Sequence, residues 1–107
     1  MLEQQITRLK NVLSGEVNQS ASVTVHELKT WPVLFDAIIN GEKTFEVRKN
    51  DRDFRSGDVV LLREFDPSFN GYTGRARYFT IGFVLEKGFG LEEGYCAFSL
   101  IGGVNVR

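Results

Sequence analysis

Gly41-Glu42-Lys43-Thr44-Phe45-Glu46-Val47-Arg48-Lys49-Asn50-Asp51-Arg52-Asp53-Phe54-Arg55-Ser56-Gly57-Asp58, residues 41–58, is the stretch whose reading decides the fold. Ten of these eighteen residues are ionisable and the signs alternate, which marks a placed constellation rather than a solvated run. Within it, Lys43 to Lys49 alternates β-forming and polar residues, the pattern of a half-buried strand. With a period of two, Phe45 and Val47 point to one face and Thr44, Glu46 and Arg48 to the other. One face thus carries a hydroxyl, a carboxylate and a guanidinium in steps of about 7 Å. Such a face can read a polar ligand or hold an internal salt bridge, and the sequence leaves both open. Strict alternation sets Lys43 opposite Glu46, so joining the two needs a bend.

Upstream of this strand, Thr30-Trp31-Pro32 opens a helix. Proline suits a first turn, and an upstream hydroxyl can cap the free amides. Leu34, Phe35, Ile38 and Ile39 form its buried stripe, and Asn40-Gly41 ends it. Before the helix, Val23 to Thr30 reads as a strand. Downstream, Val59 to Phe65 reads as a strand buried on both faces for much of its length. Asp66-Pro67-Ser68-Phe69-Asn70-Gly71 breaks it, and the expected loop runs on through Tyr72-Thr73-Gly74 with the content of a mobile binding loop. A strand from Arg75 to Glu86 follows, with Phe79, Ile81, Phe83 and Leu85 on the face that Arg75 and Arg77 begin. Residues 95–101 give the last core strand. Five short strands, one inserted helix and brief connections predict an α+β domain built as a small, mostly antiparallel, partly closed β-barrel.

The chain is 107 residues long, enough for one core without disulfides or metal. Residues 2–13 carry Leu2, Ile6, Leu9, Val12 and Leu13 on one helical stripe and predict a short amphipathic helix. The expected division is therefore an N-terminal helix and linker over 1–21 and the domain over 22–107, with the helix available to a protein partner or to self-association. A hydrophobic share of 42% excludes the disordered class, and the apolar runs are too short to span a bilayer. Cys96 is the single cysteine and His26 the single histidine, so neither a disulfide nor a thiolate zinc site is expected, nor any cofactor. A reducing cytoplasm suits that composition. The net charge of -1 lacks the basic excess of a protein that grips long duplexes, so any nucleic acid would be recognised locally.

Arg48, Arg52, Arg55, Arg75 and Arg77 are candidates for a phosphate-gripping rim. Asp51, Asp53 and Asp58 lie among the earlier ones, which favours a structural salt-bridge network for Arg52 and Arg55. Arg75 and Arg77 have fewer acids near them in sequence and are the better rim residues. Tyr72, Trp31 and Phe69 could stack on a base, Tyr72 being favoured by its loop. Glu46 could orient Lys43, accept a ligand hydrogen bond, or pair with Arg48 or Arg77. His26 reads as a hydrogen-bonded structural residue and Cys96 as a small buried hydrophobe.

The run Leu28-Lys29, Phe35-Asp36-Ala37-Ile38, Gly41 to Arg48 and Gly57-Asp58-Val59 resembles the ASCH domain of the PUA-like superfamily of small β-barrels. His26 to Pro32, Arg48 to Phe54 and Tyr72-Thr73-Gly74-Arg75 resemble more closely its DUF3850 group of uncharacterised bacterial and phage proteins. The likeness covers about residues 24–101. It implies an RNA- or nucleotide-binding module whose cleft beside the helix is lined by Lys43 and Glu46 with Arg48 beyond. The ligand-binding set expected on this basis is Lys29, Lys43, Glu46, Arg48, Tyr72, Arg75 and Arg77. Some ASCH proteins resemble amidohydrolases that remove an acetyl group from a modified cytidine with a lysine, a threonine and a glutamate. Here Lys43 matches the lysine, but Glu46 stands where the threonine would fall and Glu64 is a loose match for the glutamate. An enzyme of that kind, with Lys43 and Glu46 as catalytic residues, is the alternative, and a phage or bacterial protein-interaction domain is a third reading.

Overall fold

The computed structural model describes residues 23–106, so the helix expected over 2–13 lies outside the described residues. The order of elements is β1 (Val25–Thr30), α1 (Pro32–Ile39), β2 (Phe45–Lys49), β3 (Val59–Asp66), β4 (Gly71–Leu85) and β5 (Tyr95–Asn105). The strands form one sheet in the order β1-β3-β4-β5-β2. β1 runs parallel to β3, as a helical crossover requires, and the other three pairings are antiparallel. No ladder joins β1 to β2, so the sheet curls into a half-barrel rather than a closed one. Among the described residues no helix is long and apolar enough to cross a membrane.

Period-two patterning supplies the core. His26, Leu28 and Thr30 of β1 and Val60, Leu62 and Glu64 of β3 turn to the concave face, and Phe79, Ile81, Cys96 and Phe98 join them. Phe35 and Ile38 of α1 cap that face, and Phe54 fills its floor. Val59 to Phe65 was expected to be buried on both faces for much of its length, but its residues alternate between buried and half-buried, because among the described residues no element packs on the convex side of β3. Burial pushes the Cys96 thiol up, which suits a packing residue.

α1 starts at Pro32 and ends at Asn40-Gly41, with Gly41 at φ +76°. Its start departs from expectation. Trp31 is the capping residue and makes no side-chain cap, while the Thr30 hydroxyl is buried in the concave face.

Three bulges set the geometry of the long strands. In the first, Thr73, Gly74 and Arg75 stand opposite the single residue Glu64, with Gly74 at φ +99°. Residues 71–74 are therefore the start of β4 and not a mobile loop, and the hairpin turn is confined to Pro67–Asn70. Asp66 Oδ1 accepts from Ser68 N at 2.9 Å and Ser68 Oγ at 2.7 Å, which fixes that turn. In the second, Gly82 and Phe83 oppose Ser99, which turns Phe83 out of the expected core face to 61% exposure. In the third, Gly102 and Gly103 oppose Phe79, so β5 continues to Asn105 instead of stopping at the glycine pair.

Gly82 offers a direct test of the second bulge. A Cβ there would meet Ser99 Oγ and lie 2.8 Å from Ile101 Cδ1. Ser99 cannot simply rotate away, since its Oγ accepts the Phe83 amide at 2.9 Å. Gly82→Ala is expected to lower stability by about 1 to 2 kcal/mol in urea unfolding. An unchanged midpoint would mean that the bulge relaxes freely.

Candidate functional site

β2 inverts the usual pattern: Phe45 and Val47 are about half exposed, and the charged face turns inward with Glu46 only 4% exposed. A buried carboxylate is tolerated only with partners, and the sequence supplies two. Lys43 Nζ donates to Glu46 Oε1 at 3.1 Å and Arg48 Nε to Oε2 at 3.0 Å. The bend that this requires comes from the helix exit, where Lys43 precedes β2 and its amide bonds Ala37 O at 3.0 Å. Lys43 Nζ also donates to Phe45 O at 2.5 Å. Arg48 reaches on across the open seam, giving Nη2 to Lys29 O at 2.9 Å and a longer contact to Thr30 Oγ1 at 3.4 Å.

Thr30 stands directly opposite Glu64 in the parallel register, so a second carboxylate cluster adjoins the first. Because the first bulge aims both Thr73 and Arg75 at one residue, Glu64 accepts from Thr73 Oγ1 at 2.5 Å and from Arg75 Nε and Nη2 at 2.9 and 2.5 Å. The fork geometry is that of a strong guanidinium–carboxylate pair. Arg75 Nη2 also binds Asp36 Oδ1 of α1 at 2.7 Å. The Arg75 guanidinium, aided by the Thr73 hydroxyl, holds the Glu64 carboxyl below its ordinary value against the opposing effect of burial.

Arg75, expected as a rim residue, is engaged by both Glu64 and Asp36. Arg77, the other expected rim residue, lies on the concave face with its Cζ 5.6 Å from the Phe79 ring, and its Nε is buried without a partner. It fits there because Gly103, at φ +135°, has no Cβ to strike that nitrogen.

An open cleft of about 560 Å³ runs beside the β1 edge, lined by Glu27, Leu28, Lys29, Arg48, Arg52 and Tyr72. Tyr72 pairs with Phe65 across the β3–β4 ladder, and their rings meet edge to face at 5.3 Å. Lys29 Nζ lies 4.3 Å from the Phe65 ring centre, and Arg63 Cζ lies 3.7 Å from that of Tyr72. Of the residues expected to bind a ligand, Lys29, Arg48 and Tyr72 line this opening; Lys43 and Glu46 adjoin it through Arg48; Arg75 and Arg77 do not line it. Trp31 and Phe69 are exposed but outside its lining.

Arg52, a rim candidate for which a salt-bridge role was favoured, lines the cleft. Its expected salt-bridge network forms only in part: Arg55 pairs with Asp53 at 2.7 Å, whereas Arg52 Nη1 donates to the main-chain oxygen of Glu27. The turn that carries it is fixed by Asn50 Oδ1, which accepts from Phe54 N at 3.1 Å, and by a left-handed Asp53. At the turn's far end, Asp58 accepts from Arg55 N at 3.1 Å and shares a 2.9 Å hydrogen bond with His26 Nε2, and His26 also packs on Phe54. No local signal could have placed Arg52, since its partner is a carbonyl 25 residues away. Among the described residues no three His, Cys, Asp or Glu side chains converge as metal ligands would.

The family model described as a domain of unknown function, DUF3850, matches residues 25–100, which takes in β1 through most of β5. An uncharacterized 12.9 kDa protein in the GpA 3′ region of Escherichia phage P2 is 37% identical over 51 residues, 48% of this chain and 45% of the relative. The matched segment is thus less than half of that phage protein's length.

Proposed function

The chain belongs to the DUF3850 family, and we propose that its open cleft binds single-stranded RNA or a nucleotide, in the manner of an ASCH domain of the PUA-like superfamily. The observation that carries this reading is the gathering of Lys29, Arg48, Arg52 and Tyr72 on one opening of a protein whose net charge is -1. Cations beside an aromatic ring suit a phosphate next to a base. The half-barrel with its single helix after β1 supports the wider kinship. Against the amidohydrolase alternative stands the engagement of Lys43, whose Nζ is a donor to both Glu46 and Phe45 O. An amine so held serves to position charge rather than to attack a carbonyl.

The test is an amide chemical-shift titration with oligouridylate, free nucleosides and N4-acetylcytidine at two salt concentrations. Shifts should gather on Lys29, Arg48 and Tyr72. Tyr72→Ala should weaken oligonucleotide binding roughly 5- to 150-fold, the value of about 1 to 3 kcal/mol for one stacked base. Product peaks from acetylcytidine that vanish in Lys43→Ala would replace this reading with the hydrolase. Absence of shifts with every probe would remove nucleic acid as the ligand.

A further inference from the structure

Resting on that reading of the cleft, we infer that Arg52 and Arg48 form a phosphate seat at the seam between the β1 and β2 edges. The cleft then selects phosphorylated ligands: a mononucleotide, or one phosphodiester link of a single strand. Among the described residues one edge of β1 has no neighbouring strand. Its Glu27 and Lys29 carbonyls accept not from a sixth strand but from Arg52 and Arg48. A main-chain carbonyl orients a guanidinium without cancelling its charge. The same contacts make strand addition by a peptide a poor use of this edge, because the carbonyls that an added strand would need are occupied.

Three arginines outside the cleft lining are matched by acids. Arg55 is matched by Asp53, Arg63 by Glu27, and Arg75 by Glu64 and Asp36. Among the described residues Arg52 and Lys29 have no carboxylate partner, and Glu46 is shared between Lys43 and Arg48, which leaves that trio one positive charge. Lys29, Arg52 and the surplus charge of the Lys43–Glu46–Arg48 trio therefore gather at one opening.

The donors are also spare. A guanidinium carries five N–H groups. Arg52 commits one of its nitrogens, and Arg48 commits Nε and Nη2, leaving Nη1. Two anchored forks lining one opening match the tetrahedral oxygens of a phosphate. Arg63 Cζ and, farther off at 6.0 Å, Lys29 Nζ lie over the Tyr72 ring, and Tyr72 keeps 41% of its surface exposed for contact with a base.

Calorimetric titrations of the full chain with uridine, uridine 5′-monophosphate, triuridylate and inorganic phosphate test the inference, using Arg52→Gln, Arg52→Lys and, as a control on an exposed matched arginine, Arg55→Gln. The monophosphate should bind at least tenfold more tightly than uridine. Arg52→Gln should bring it to the uridine level while leaving uridine binding unchanged, Arg52→Lys should fall between, and Arg55→Gln should bind as the parent does. Triuridylate well above the monophosphate identifies a strand as the source of the phosphate; equality identifies a mononucleotide. Equal affinities for uridine and its monophosphate, or equal losses in the Arg52 and Arg55 variants, overturn the phosphate seat while the cleft reading stands. No binding by any probe overturns both. Thermal melts of each variant separate a lost seat from a lost fold, and should Arg52→Gln unfold, Arg52→Lys carries the comparison.

Discussion

Replacing Arg75 by methionine is expected to destabilise the protein by about 3 kcal/mol at pH 7, the low end of the cost of removing one partner from a buried ion pair. The Glu64 side chain is only 5% exposed, whereas that of Arg75 is 48% exposed. Loss of the guanidinium therefore strands a buried carboxylate with the Thr73 hydroxyl alone, while Glu64→Gln would leave an arginine that water and Asp36 can still satisfy. The pH dependence has a definite sign. In the folded parent the Glu64 carboxyl lies below its ordinary 4.5, chiefly through Arg75. Its contribution is thus complete above about pH 4.5 and is lost as pH falls through the folded value. In Arg75→Met the guanidinium no longer opposes burial, so acid should relieve the strain instead of adding to it. Urea midpoints measured from pH 7 down to pH 3 should show a wide gap that narrows with acid. A gap that is absent at pH 7, or that does not change with pH, would refute this account of the cluster.

The same residue shows where sequence reading ends. Helix α1 was legible because its signals are local: Pro32 at the start, Phe35 and Ile38 one turn apart, Asn40-Gly41 at the exit. The alternation in Lys43 to Lys49 gave the correct faces for β2, though not which face would be buried. That depended on Arg48 and Lys43 both finding Glu46, which requires the bend at the helix exit. Arg75 looked free because proximity was judged along the chain, yet its acids lie 11 and 39 residues away. Phe83 keeps strict alternation in the sequence and loses it in the fold to a bulge defined by Ser99 on another strand. Tyr72 to Gly74 has loop composition but ladder position, since Phe65 and Asp66 pair with Tyr72 and Gly71. Bulges are facts about two strands at once, so one strand's sequence does not disclose them.

Arg48→Met should give the second large effect, about 3 kcal/mol of lost stability together with loss of the cleft's ligand. Arg48 alone ties the buried Glu46 to the β1 edge, with Nε on the carboxylate and Nη2 on Lys29 O. Removal leaves Glu46 with Lys43 as its remaining partner and leaves the β1–β2 seam held by Arg52. Restoring charge balance should recover part of the stability. In Arg48→Met/Glu46→Gln the unpaired carboxylate is gone, so the double variant should be more stable than Arg48→Met, and the cycle should yield a coupling of about 1 to 3 kcal/mol. Ligand affinity should not recover with it, because the guanidinium that faces the cleft is still missing. Urea unfolding and titration on the same four proteins therefore separate the two duties of Arg48. If stability and binding return together in the double variant, Arg48 acts on the ligand only by holding the seam closed; if stability returns without binding, the guanidinium touches the ligand itself.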